Sequence, residues 1–144
     1  MIKYGYSAAM PPIYAGDIHG GKFVYAEVTN NDTTPPRRVI VKVNDVGPFP
    51  VRDKDQNPPK GISKSHEDAT RAIDLSAAAY AKIAKNPGDG VLNVTVKFLK
   101  PEEGERRYNE QNKWAAEHKA EIKQQVHKAL CATDRKYSKK HNCG

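Results

Sequence analysis

The chain has 144 residues and carries a formal net charge of +7, with 38% hydrophobic and 28% charged residues. This length suits one domain, or one domain with an appendage, and the composition excludes a long disordered chain. No apolar run is long enough to span a bilayer as a helix. The positive charge favours polyanionic partners such as nucleic acid, anionic membrane or acidic envelope polymers, but solubility alone explains it equally well.

The first half of the chain predicts two strands separated by turns. Residues 1–21 are rich in Gly, Pro, Ala and Tyr, and we expect a loop with one short strand there. They lack the apolar run of a secretory signal, so either a signal has been removed or export follows another route. Strand formers alternate over residues 22–29 and residues 39–43 are mostly β-branched, while Asn, Asp and Pro residues make 30–38 a turn and loop. A Gly-Pro pair then predicts another turn at 44–49.

The middle of the chain predicts a long loop followed by short regular elements. Residues 50–71 are polar and charged, and a loop of that length inside a compact domain is usually functional or disordered. Residues 72–75 predict a short strand, and Ser76 is an N-cap for a short helix over residues 77–84. Residues 91–99 (VLNVTVKFL) are the clearest strand in the sequence.

Beyond the last strand the apolar residues follow a helical period. Between residues 108 and 130 they fall on one face and predict an amphipathic α-helix: Trp114, Ala115, Ile122, Val126, Ala129 and Leu130. This helix either docks on the preceding domain or a second copy, or lies on an anionic membrane surface. Cys131 and Cys143 follow, and an oxidising compartment would allow a bridge between them.

The composition therefore divides the chain into two parts. Residues 1–100 form the predicted β domain, with residues 49–72 as an inserted loop. Residues 101–144 form a basic helical extension.

Four motifs occur in an order that resembles one protein family. The segment VIVKVNDVGPF covers residues 39–49, IDLS covers 73–76 before an Ala-rich helix, and VTVKFL covers 94–99. Upstream, YAEVTN covers residues 25–30. Together they resemble the rare lipoprotein A family, whose fold is shared with expansins and barwin-like proteins. The resemblance implies a mainly β fold, a six-stranded double-psi β-barrel with one short helix, to which the C-terminal amphipathic α-helix is added.

The chain departs from this family in three ways. An insertion lies between Phe49 and Ile73, where it would reshape or cover a groove. The N-terminal segment lacks the acidic residue that the family carries upstream. The family's His before the Tyr-x-x-Val-Thr-Asn strand falls near Asp17 here, with His19 close by.

Rare lipoprotein A enzymes are lytic transglycosylases, so the resemblance implies cleavage of a peptidoglycan glycan strand. The expected reaction breaks the β-1,4 bond between N-acetylmuramic acid and N-acetylglucosamine and leaves a 1,6-anhydro end. Such a cleavage needs a carboxylic acid that protonates the leaving oxygen. The candidate catalytic residues are Asp74, at the position of an acid in related double-psi proteins, Asp45, after a strand, and Asp17. Asp45 and Asp74 are equally suited to structural roles in a turn or at a helix start.

Aromatic residues and one histidine are the candidate substrate-binding groups. Tyr14, Tyr25 and Phe49 offer flat faces to sugar rings, although Tyr25 and Phe49 are also suited to core packing. His66 lies in the inserted loop and either reaches over a groove or is solvated. The five His and two Cys residues show no spacing typical of a metal site, and we predict no metal and no cofactor.

Two other functions stay open at this point. The chain is either an enzyme, an expansin-like module that binds glycan without cutting it, or an inhibitor or effector on the same scaffold. The expected partner is peptidoglycan or a related glycan, not nucleic acid, with an anionic envelope surface as a further contact for the basic helix. The expected location is extracellular or periplasmic.

Overall fold

The structure is a computed structural model, and it describes residues 5–10, 16–17, 22–46 and 73–143. The strands in these ranges are β1 (Ser7–Met10), β2 (Gly16–Asp17), β3 (Lys22–Asn30), β4 (Arg37–Val46), β5 (Asp74–Leu75) and β6 (Val94–Leu99). The helices are α1 (Ala77–Ile83), α2 (Pro101–Glu117), α3 (Lys119–Thr133) and α4 (Arg135–Lys140).

The strands form a mixed sheet with β3 near its centre. β3 pairs antiparallel with both β4 and β6, and its first two residues pair with β2. β4 pairs in parallel with β1, and β1 pairs antiparallel with β5. The order is therefore β6–β3–β4–β1–β5. These pairings fit the predicted mainly β class, and among the described strands none closes the sheet into the predicted six-stranded barrel.

The predicted strands over residues 22–29 and 39–43 are confirmed as β3 and β4, and both extend further than predicted, whereas the strand predicted over 91–99 is shorter and begins at Val94. Residues 44–46, predicted as part of a turn, continue β4 because Asp45 and Val46 pair with β1. Asn30, predicted as the start of a turn, is instead the last residue of β3 and is only 1% exposed. Its side chain donates to the Ile83 carbonyl at 2.8 Å and accepts from the Asp32 N–H at 2.9 Å. A buried amide is tolerated here because both its donor and its acceptor are used.

The short predicted helix is confirmed as α1, and strands hold it at both ends. Ser76 is its N-cap, since its hydroxyl accepts the Ala79 N–H at 3.3 Å. At the other end the last carbonyls of a helix lack partners within the helix. Asn30 supplies one donor to them, and the Arg37 guanidinium donates to the Ala84 carbonyl at 2.6 Å.

The core lies between the inner face of the sheet and helices α1 and α3. Its strand members include Ala8, Met10, Ala26, Val28, Val39, Val41, Val43 and Val96, and its helical members include Ala78, Ala79, Ile83, Ile122 and Val126. Alternate residues of β3 and β4 point inward, as expected for strands with one buried face. Tyr6 is also buried there, and burial, with a smaller contribution from Glu121, raises the pKa of Tyr6 to about 12. Its hydroxyl therefore stays neutral.

The prediction of one C-terminal helix over residues 108–130 is wrong, because the chain forms separate helices there. α2 ends at Glu117 and α3 begins at Lys119. Between them His118 stacks on Trp114, with ring centroids 4.3 Å apart, and its Nδ1–H donates to the Trp114 carbonyl at 2.7 Å. That bond satisfies a free carbonyl at the end of α2. The break is useful because α2 packs on β3 and β4, whereas α3 packs on α1.

The apolar face of α3 is buried inside the protein. Ile122 and Val126 are 5% and 1% exposed and belong to the same core as the strands. This helix therefore docks on the preceding part of the chain, one of the alternatives given by the sequence. Among the described helices none has the length and apolar character needed to cross a membrane.

Gly104 sets how closely α2 approaches the sheet. It is buried, and a Cβ atom added there would lie 2.5 Å from Tyr25 Cβ and 2.9 Å from Tyr25 Cγ. These atoms stand next to the β3 backbone and cannot swing away. Only glycine permits this contact between helix and strand.

We expect Gly104→Ala to lower the free energy of unfolding by about 1–3 kcal/mol, the usual cost of overpacking. The direction of the change is informative, because Gly→Ala at an exposed position inside a helix raises the free energy of unfolding by about 1 kcal/mol. Urea denaturation followed by circular dichroism measures the difference.

Gly88→Ala is the matched control. A Cβ at Gly88 meets only Ala132 Cβ at 3.9 Å, an ordinary contact. Equal stability of the two variants, or a gain for Gly104→Ala, would contradict the close packing of α2 on Tyr25.

Candidate functional site

Two of the three candidate acids flank the same residue of the sheet. Ala9 of β1 pairs with Asp45 of β4 on one side and with Asp74 of β5 on the other. Directly opposed residues in a sheet project to the same face. Since adjacent strands are roughly 4.8 Å apart, the two aspartate Cα atoms are about 10 Å apart across β1. Both aspartates are exposed, and the small Ala9 side chain lies between them.

Asp45, Ala9 and Asp74 lie side by side on neighbouring strands, and we call them the acid row. An irregularity in the pairing of β1 with β4 brings Asp45 into this row. Ala8 pairs with Val43, but the next residue, Ala9, pairs with Asp45. One step along β1 therefore matches two steps along β4, as in a β-bulge. Ala8 and Val43 are both fully buried, whereas Asn44 and Asp45 are exposed. The bulge turns the end of β4 outward and places Asp45 level with Asp74.

Ser76 holds the other side of the row. Its hydroxyl donates to the Gly5 carbonyl at 2.7 Å and accepts the Ser7 N–H at 3.2 Å. Its own N–H donates to the Ser7 carbonyl at 2.9 Å. The residue two positions before it is Asp74, so these bonds fix β5, and with it Asp74, alongside β1.

The backbone of Asp17 lies at the same end of the sheet. Asp17 pairs with Lys22, the first residue of β3. The β3–β4 register runs as far as Val24 opposite Val43. Continued by two residues, that register sets Lys22 level with Asp45. The side chain of Asp17 lies outside the described part of the structure.

The aromatic candidates are only partly covered by the structure. Tyr14, Phe49 and His66 lie outside the described residues. Tyr25 is half-buried beneath α2, with its ring centroid 5.4 Å from that of Tyr108. Burial first, then Glu105 and Tyr108, raises the pKa of Tyr25, so its hydroxyl remains a hydrogen-bond donor. The contacts of this ring are mainly with the helix.

Sequence reasoning missed a cation on the outer face beside these rings. The Lys42 ammonium lies 4.5 Å from the Phe23 ring centroid and 5.9 Å from that of Tyr25. Tyr108 of α2 adds a third ring at 5.7 Å. Cation–π contacts of this kind hold an ammonium in place. Strand alternation would have put Lys42 on the outer face opposite Tyr25, three residues before Asp45.

Three potential metal ligands lie together in the C-terminal helices. His127, Cys131 and Cys143 have ligand atoms within 4.8 Å of one another. The two cysteines form a disulfide, so their sulfurs are not free thiolates. The Tyr137 hydroxyl also lies 2.8 Å from His127 Nδ1. The cluster therefore acts as a covalent link between α3 and the segment that follows α4.

Comparison with known proteins decides the family. Residues 7–96 match a family model described as lytic transglycolase, a double-psi β-barrel family. The chain belongs to this family. The match covers β1 to the first half of β6, including Asp17, Asp45 and Asp74, and stops before α2. No curated protein and no solved structure matched the chain significantly. Membership of this double-psi family confirms the resemblance to rare lipoprotein A that the motifs indicated, and it indicates a function on glycans.

We expect Ser76→Ala to lower the free energy of unfolding by about 1–2 kcal/mol, because it removes an N-cap, the bond from the Ser7 N–H of β1 and the bond to the Gly5 carbonyl just before β1. Ser138→Ala in α4 is the control, and it should change stability by less than about 0.5 kcal/mol. Urea denaturation of both variants checks this. An equal effect of the two substitutions would contradict the role of Ser76 in holding β5 against β1.

Proposed function

We propose that this chain is a peptidoglycan lytic transglycosylase. The substrate bond is the β-1,4 bond between N-acetylmuramic acid and N-acetylglucosamine, and the product carries a 1,6-anhydro end. The observation that supports this most strongly is the row Asp45–Ala9–Asp74, in which two exposed carboxylates flank one small residue. A sugar lying over Ala9 would have one carboxyl group on each side.

The reaction needs no external water. Asp74, in its protonated form, donates its proton to the bridging oxygen as the bond from that oxygen to the muramic acid C1 breaks. Positive charge builds at C1, and the carboxylate of Asp45 stabilises it from the other side of the row. The C6 hydroxyl of the same sugar then attacks C1 and gives its proton to the Asp74 carboxylate. One residue thus serves as acid and then as base.

The proposed location is the cell envelope, extracellular or periplasmic. The Cys131–Cys143 disulfide supports it, because such bonds persist in oxidising compartments. The net charge of +7 also favours encounter with the anionic polymers of an envelope.

We expect Asp74→Asn to lower the yield of anhydro-muropeptides from purified sacculi by at least about 100-fold, the usual contribution of a general acid. Asp45→Asn should lower it as well, because the charge opposite the reacting carbon is lost. Mass spectrometry of the soluble products measures the yield, and urea denaturation confirms that each variant is folded.

Asp32→Asn is the control for the change in charge. Asp32 is exposed in the turn after β3, where its backbone N–H donates to the Asn30 side chain and its carboxylate forms no ion pair with any residue that the structure describes. Its yield should equal that of the unaltered chain. Full yields from both Asp45→Asn and Asp74→Asn would refute the site, and glycan binding without any anhydro product would refute the reaction.

A further inference from the structure

A second feature of the molecule is a cleft at the far end of β4 from Asp45. It has a volume of about 290 Å³ and lies between β4, α1 and α2. Its walls include Arg38 and Ile40 of β4, Lys82 of α1, and Arg107, Gln111 and Trp114 of α2. From Ile40 to Asp45 the strand rises about 17 Å, so the cleft is separate from the acid row.

The cleft contains more positive than negative charge. Arg107 is paired with Glu27 and lies 3.8 Å from Glu103, so its charge is already balanced. Arg38 makes only a long contact with Glu27, at 3.9 Å, and its side chain is 56% exposed. Lys82 forms no ion pair within the described part of the chain. Two cations of the cleft are therefore available to an anion.

The Lys82 side chain is half-buried and packs against an aromatic ring. Its ammonium lies 4.5 Å from the centroid of the Trp114 ring. Burial lowers the pKa of Lys82, while the charge of Glu121 acts weakly in the opposite direction. A desolvated ammonium gains from an anion that reaches it, because charge pairs are strengthened where water is excluded.

Trp114 gives the cleft an aromatic wall with a fixed orientation. It is 37% exposed, which is unusual for a large apolar side chain, and it is the single tryptophan of the chain. His118 stacks against it and fixes the ring. Indole rings combine an apolar body with a polar edge, which suits them to sugar surfaces.

Gln111 makes the floor of the cleft rigid. Its side-chain oxygen accepts the Ile40 N–H at 2.8 Å, and its nitrogen donates to the Ile40 carbonyl at 2.7 Å. These two bonds cover the edge of β4 as a neighbouring strand would. The spacing between α2 and β4 is therefore set before any ligand binds.

We propose that this cleft binds a carboxylate-bearing sugar of a glycan chain, with Lys82 and Arg38 on the carboxylate and Trp114 against the sugar. That the glycan is peptidoglycan rests on the proposed function. That the bound sugar carries a negative charge rests on the cations and the aromatic ring of the cleft itself. The site would hold a glycan strand away from the bond being cleaved. It would thereby distinguish strands whose muramic acid carries a free carboxylate from neutral polymers of N-acetylglucosamine.

The test uses the emission of Trp114, which reports on the cleft directly. The full chain with Asp45→Asn and Asp74→Asn is titrated with peptide-free glycan fragments whose muramic acid carries a free carboxylate, and separately with neutral chito-oligosaccharides of the same length. We expect the acidic fragments to change the emission and to bind more tightly. Adding Lys82→Met, or Arg38→Gln, should weaken their binding by about tenfold or more, as for loss of one charge-assisted bond.

Lys85→Met is the matched control, because it removes one exposed positive charge just after α1 without touching the cleft. Equal weakening by Lys82→Met and Lys85→Met would overturn the proposal, as would equal binding of neutral and acidic glycans. Competition by inorganic phosphate at concentrations equal to those of the glycan would also overturn it. Absence of anhydro products from the unaltered chain, with this binding intact, would refute the transglycosylase function instead, so the two failures are distinguishable.

Discussion

The position of β1 between β4 and β5 is the constraint on which the candidate site depends. β1 has only four residues, all of them buried, and it pairs in parallel with one neighbour and antiparallel with the other. A slip of one residue would turn every side chain to the opposite face. The site therefore needs the register of this short strand to be fixed by something outside it. Ser76 provides that by bonding to Gly5 and Ser7, just where β1 begins.

Helix α1 links β1 to the other strands of the sheet. Its N-terminus is joined to β1 through Ser76, and its C-terminus is joined to β3 and β4 through Asn30 and Arg37. α3 covers its outer side with Ile122 and Val126. The C-terminal helices thus contribute to the packing that positions the acids, although they lie outside the segment that matches the family. One of these helices, α2, also forms a wall of the cleft around Trp114.

The sequence predicted the elements with strong local signals. Alternation over β3, β-branched residues in β4 and the Ser76 cap of α1 are local features, and the structure confirms them. Asn30 was misassigned because asparagine favours turns, and its use as a buried amide depends on α1, which is 53 residues away in the sequence. The break between α2 and α3 at His118 was missed because the apolar period continues through it, whereas the break depends on which elements each helix packs against.

The candidate acids could be chosen from the sequence, but their arrangement could not. The motifs supplied Asp45 and Asp74, yet nothing local indicates that Ala9 pairs with both. That arrangement depends on a bulge and on contacts between distant segments. The cleft could not be predicted from the sequence for the same reason, since Arg38, Lys82 and Trp114 come from three separate elements.

A crystal structure of the Asp45→Asn, Asp74→Asn chain with a bound muramic-acid-containing glycan tests the central claim most directly. Our account predicts a bridging glycosidic oxygen above Ala9, within about 3 Å of the side chain at position 74, the reach of a proton donor. The side chain at position 45 should face the same sugar from the opposite side. A glycan bound elsewhere, with neither position near a glycosidic bond, would contradict the account.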